Sequence, residues 1–113
     1  MNMKTISYLS IILFVFLSLS ACTAENHLNE AIKHAEAAMK ADSSSSIAKH
    51  ADEAKTHANA AKGDKNLSPT SGQHLDAGIM SLDQAIEKGK LDAKDSAKQA
   101  AEDAVAHFKE VTK

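Results

Sequence analysis

The sequence contains no tryptophan, one tyrosine, one proline, one cysteine and only four glycines. Each scarcity excludes something. Aromatic residues are 4% of the chain, too few for a sheet or sandwich built on aromatic and β-branched cross-strand pairs. One cysteine cannot form an internal disulfide, nor the paired-thiolate sites of structural zinc proteins. Charge of one sign is also missing. The formal net charge is −2, so there is no basic field of the kind that holds nucleic acid, and no nucleic-acid partner is expected. There is no Gly-rich phosphate loop, no GxSxG elbow and no Cys–His pair for nucleophilic attack. An enzyme is therefore not expected.

What remains is rich in alanine, lysine and acidic residues, the composition of closely packed helices. Residues 1–21 read as a signal peptide. Lys4 supplies a positive start, and Ile6 to Leu19 is an apolar run of 14 residues, short of the roughly 20 a spanning helix requires. The run closes in Leu19-Ser20-Ala21-Cys22. That tetrapeptide resembles the lipobox of bacterial lipoproteins, which implies cleavage before Cys22, lipid on its sulfur and N-terminus, and export. Thr23 comes next, where an aspartate would signal inner-membrane retention. The expected location is the periplasmic side of the outer membrane, with the lipid as anchor.

Residues 23–113 form the expected domain. Breaks at DSSSS (42–46), GDKNLSPTSG (63–72) and Gly89-Lys90 separate four amphipathic segments, about 26–41, 46–62, 70–88 and 92–111. Apolar residues recur at helical spacing in each. Ser68 and Pro69 suit the start of the third helix, and Asp92 the cap of the fourth. The halves are internal repeats. His27-Leu28 matches His74-Leu75, and DEAKTH (52–57) matches EDAVAH (102–107). Short connections make successive helices antiparallel, so the expected fold is an all-α, up-down-up-down antiparallel four-helix bundle made of two repeated helical hairpins. The larger core residues gather in the second hairpin, at Leu75, Ile79, Leu82, Ile86, Val105, Phe108 and Val111. The first packs mostly alanine, with Leu28, Ile32, Met39 and Ile47.

Six histidines occupy equivalent positions in this scheme. HLNEAIKH (27–34) and HADEAKTH (50–57) each place two histidines seven apart. That spacing is about 10.5 Å of helix rise, too far for two ligands of one ion whose bonds are about 2 Å. Each histidine needs a partner from another helix. In an antiparallel hairpin, residues at equal height have numbers that add to one total. His27 with His57 and His34 with His50 satisfy this, giving two levels with Glu30 and Glu53 between them. In the second hairpin His74 and His107 are level, Asp103 replaces Glu53, and Ala77, Ser81 and Ala100 stand where Glu30, His34 and His50 would be. The handedness of the bundle, which the sequence leaves open, decides whether histidines of the first two helices face each other or face the fourth and third.

The stretches HLNEAIKHAEAAMK and KHADEAKTHANAAK resemble the small metal-binding protein family of bacterial periplasms, with its repeats HxxEAxxHAExA and KHAEEALxHxKAA. The resemblance spans residues 27–109. It implies a His-rich four-helix protein that binds divalent transition metals, copper above all, for buffering or detoxification. This chain departs from the pattern in its histidine-free turns and at Ser81 and Ala100. The expected ligands are His27, Glu30, His34, His50, Glu53, His57, His74, Asp103 and His107. Imidazole with carboxylate suits Cu²⁺ first, and Ni²⁺ or Zn²⁺ after it. The competing expectation is a lipid-anchored helical module that recruits a partner and has no metal role.

Overall fold

A computed structural model describes residues 24–111; the expected signal peptide and Cys22 lie outside them. Four helices account for nearly all of this span: α1 (Ala24–Lys40), α2 (Ser44–Lys62), α3 (Pro69–Lys90) and α4 (Lys94–Val111). No strand occurs among the described residues. The molecule is a four-helix bundle in which each helix packs beside its sequence neighbours and α4 closes back on α1.

The contacts of α2 with α1 and with α3 run in opposite numerical directions. From His27–His57 to His34–His50 the first number rises by seven as the second falls by seven. The ion pairs Lys55–Asp83 and Lys62–Asp76 repeat the relation between α2 and α3. Antiparallel neighbours meet in this way, and the histidines of α1 and α2 face each other across their shared seam.

Helix boundaries reflect local chemistry. The serine run does not interrupt the chain as far as Ser46. Ser43 has extended backbone, and its hydroxyl accepts from the Ser46 N–H at 3.2 Å, so α2 begins at Ser44. Ser68 caps α3 in the same way, accepting from the Ser71 N–H at 3.1 Å with Pro69 in the first turn. These caps satisfy amide donors that a helix start leaves open.

Two expectations at the α3–α4 turn are corrected. Gly89-Lys90 does not end α3; both residues are helical. Gly89 is there for packing: a Cβ on it would lie 2.7 Å from the Ser44 carbonyl oxygen and 2.9 Å from Ala48 Cβ. The missing side chain lets α3 and α2 approach. Nor does Asp92 cap α4. It carries φ of 62° and closes α3 instead. The Asp92 N–H donates to the Gly89 carbonyl at 3.1 Å and the Ala93 N–H to the Lys88 carbonyl at 2.9 Å. That is a Schellman closure with aspartate where glycine is usual; aspartate tolerates the left-handed region better than most residues.

The core is mainly alanine. Ala31, Ala35, Ala38, Ala51, Ala54, Ala58, Ala85, Ala97, Ala101 and Ala104 have no exposed surface. Small residues bring helix axes close together. The largest fully buried side chains are Phe108, Ile47, Leu75 and Leu82, and three of the four belong to the second hairpin. Gly78 makes room for the Phe108 ring, which a Cβ at that position would overlap. Ile32, Met39, Ile79, Ile86 and Val111 sit at the rim of the core.

Candidate metal centre

The helical period places the polar residues of α2 on two shoulders of its alanine stripe. One shoulder carries Lys55 and Lys62, which pair with Asp83 and Asp76 of α3. The Lys55 pKa is raised by its hydrogen bond to Asp83, but both groups face solvent and the pair contributes little to stability. The other shoulder carries His50, Glu53 and His57 and faces α1, which presents His27, Glu30 and His34. Glu36, on the far shoulder of α1, pairs with Lys109 of α4.

The four imidazoles of α1 and α2 form one continuous strip. His27 and His57 have ring centroids 5.6 Å apart and Nδ1 atoms 3.4 Å apart. His57 and His34 stack nearly parallel, centroids 5.3 Å apart and planes at 7°. His34 continues to His50 at 6.4 Å. Two levels joined at equal height therefore describe the arrangement incompletely. The closest pair, His34–His57, is diagonal, and side-chain lean explains it. Side chains tilt toward the N-terminus of their own helix. On antiparallel helices the tilts are opposed, so His34 leans toward the open end of the hairpin and His57 toward its turn. The two inner rings converge, while His27 and His50 lean away. Equal-height counting alone misses this pair; adding the lean would have found it.

The carboxylates complete two groups. The ligand atoms of Glu30, His34 and His57 all lie within 4.8 Å of one another, and so do those of His34, His50 and Glu53. Two ligands of one tetrahedral ion stand about 3.4 Å apart for bonds of about 2.1 Å. Contractions of up to about 1.4 Å, within reach of half-exposed side chains, would bring either group to coordination distance. The side chains of His34, His50 and Glu53 are 29%, 37% and 44% exposed, so an ion could enter from solvent without unfolding.

The electrostatics suit a cation. Glu53 Oε1 lies 3.4 Å from His50 Nδ1 and 3.8 Å from His34 Nδ1. His50 Nδ1 is shut off from solvent and makes no hydrogen bond, although Glu53 Oε1 lies 3.4 Å away. In the tautomer that leaves Nδ1 unprotonated, this nitrogen and the carboxylate are two acceptors side by side, and a cation between them satisfies both. The His57 pKa is lowered, first by burial and next by His34, with His27 adding to the effect and Glu30 and Glu53 opposing it. Lowering favours neutral imidazole, the form that binds metal. Lys33 pairs with Glu30 at 3.4 Å, but at 74% exposure it competes only weakly for that carboxylate.

The second hairpin does not reproduce this. Among the described residues, no ring contact and no three-residue ligand group includes His74 or His107. Both are half-buried. Asp103 is exposed, in an open groove lined with Gln84, Lys88, Ser96, Gln99 and Ala100. An ammonium in that groove opposes a metal cation.

Set against known proteins, residues 2–111 match the small metal-binding protein family, and the chain belongs to it. Metal binding is what the family description implies. No curated protein and no solved structure matches the chain.

Proposed function

We propose that this member of the small metal-binding protein family buffers divalent transition-metal ions from the periplasmic face of a bacterial membrane, with the α1–α2 seam as its metal site. The carrying observation is the pair of nitrogen-and-oxygen ligand groups centred on His34. Two imidazoles and one carboxylate, with open positions for water, favour Cu²⁺ by intrinsic affinity, then Ni²⁺ or Zn²⁺. Half-exposed ligands permit loading and release, as buffering requires. The role is storage rather than catalysis: the ligand sets offer no separate acid–base pair beside a substrate pocket.

The anchor in this proposal is lipid on Cys22, and the location is the periplasmic side of the outer membrane. Its support is Leu19-Ser20-Ala21-Cys22 at the end of a short apolar run. No described helix is long and apolar enough to cross a membrane. Equilibrium dialysis of the purified chain against Cu²⁺ and Zn²⁺, with bound ions counted, tests the metal role. Bound ions that disappear when His34 and His57 are both replaced by alanine are expected; no binding of either ion contradicts the proposal. Detergent partitioning of Cys22→Ser tests the anchor. The variant is expected to leave the membrane fraction, and unchanged association rules out Cys22 as the attachment point.

A further inference from the structure

The strip contains more potential coordination positions than it has imidazoles to fill them. At the open end, His27 and His57 hold Nδ1 atoms 3.4 Å apart, close to the roughly 3.3 Å between two nitrogens on one tetrahedral ion with bonds of about 2.0–2.1 Å. At the turn end stands the group of His34, His50 and Glu53. Between them stands the group of Glu30, His34 and His57. The central group shares His57 with the open end and His34 with the turn end. The two end positions share nothing.

A neutral imidazole has one lone pair to give, since its second nitrogen carries a proton. Each shared histidine therefore serves one ion at a time. From this we infer that the first hairpin is a metal relay: two end sites that fill together, joined by a central site that fills only when both neighbours are empty. The inference rests on the metal-binding reading above and adds to it the order and exclusivity of occupation. An ion at the turn end moves inward by exchanging His50 and Glu53 for His57 and Glu30 while His34 stays bound. It moves outward again by exchanging His34 for His27 while His57 stays bound. At each step one protein ligand remains attached, so the ion crosses the seam without returning to water. The central position rests on ligand-atom proximity: Glu30, His34 and His57 bring theirs within 4.8 Å of one another, and rotation of the two stacked rings out of parallel would turn their in-plane lone pairs onto one ion.

Two reciprocal double variants of the full chain separate this arrangement from a pair of independent levels. His27→Ala with His50→Ala removes one histidine from each end site and spares the central one. His34→Ala with His57→Ala damages all three. Bound Zn²⁺ is counted by equilibrium dialysis at saturation, and far-UV circular dichroism checks that each variant keeps its helices. Alanine is the best helix former, and the replaced side chains are half-exposed; glutamine replaces alanine in any variant that loses helix. The relay predicts that the first variant retains one ion more than the second, and that adding Glu30→Gln to it removes that ion while adding Glu53→Gln does not. Equal losses in the two double variants, or retention of the extra ion after Glu30→Gln, would mean that no central site exists and would overturn the relay while leaving metal binding intact. No loss in either variant would overturn the α1–α2 metal site itself, and the relay with it.

Discussion

The two hairpins share one sequence pattern and fill it differently. The α1–α2 hairpin has alanine in most of its core positions, Ile47 as its one large fully buried side chain, and all of the close histidine contacts. The α3–α4 hairpin holds Phe108, Leu75 and Leu82 fully buried, but Ser81 and Ala100 stand where His34 and His50 stand in the first. In place of a ligand strip it has a groove containing Lys88. The difference teaches how two hairpins of one repeat can separate hydrophobic anchorage from the presentation of potential ligands. A buried leucine or phenylalanine contributes roughly 1.5–3 kcal/mol and alanine far less, so the second hairpin supplies hydrophobic anchorage. The first, held mainly by close alanine packing, keeps its polar shoulder for ligands.

The most forceful way to break this comparison is Phe108→Ala. The ring is fully buried against Gly78, and its loss should cost about 3–5 kcal/mol in urea unfolding. In the protein that remains folded, the Zn²⁺ count should be unchanged, because the ring is carried by α4 and packs on Gly78 of α3, outside the hairpin that carries the strip. A variant that unfolds normally but binds fewer ions would show that core and site are not separate.

Acidification should act on the other hairpin. The His57 pKa is lowered in the fold by burial and neighbouring histidines. As pH falls through about 6.5 the unfolded chain takes up this proton before the folded one does. Stability carried by neutral His57 is thus complete above that pH and is lost below it, down to the folded value. The urea midpoint should fall between pH 7 and 5, and His57→Ala should flatten the fall. An equal slope in the variant would place the sensitivity elsewhere. Smallest is the effect of Asp92→Gly. Glycine removes the cost of a side chain at φ of 62°, so the variant should be more stable by up to about 1 kcal/mol with an unchanged ion count. A destabilised variant would mean that the Asp92 side chain supports the turn.

Much of the fold was legible in the sequence because alanine periodicity and serine capping are local signals. Ser68-Pro69 announces a helix start through its own chemistry, and the repeat locates four segments. The failures came where tertiary contact overrode a local rule. Gly89 looks like a breaker in isolation, yet α2 approaches so closely there that only glycine fits within the helix. Asp92 looks like a cap for α4, yet its backbone closes α3. The site was legible by level but not by partner. Residue numbering puts His27 beside His57 and His34 beside His50; the diagonal His34–His57 contact depends on opposed side-chain lean, and the facing of α1 toward α2 depends on handedness. His74, Asp103 and His107 were candidates by repeat equivalence and by the equal height of His74 and His107. Equivalence of backbone position does not bring side chains together when Ala77, Ser81 and Ala100 replace the intervening ligands.

Residue-resolved amide exchange with and without Zn²⁺ tests the division of labour most directly. An ion that binds the folded hairpin and not the open one stabilises it by about 2.7 kcal/mol at a hundredfold excess over Kd. The account predicts slowed exchange concentrated in residues 24–62, where the metal bridges α1 and α2, with much smaller changes in 69–111. Equal protection in both halves, or protection centred on His74 and His107, would contradict it.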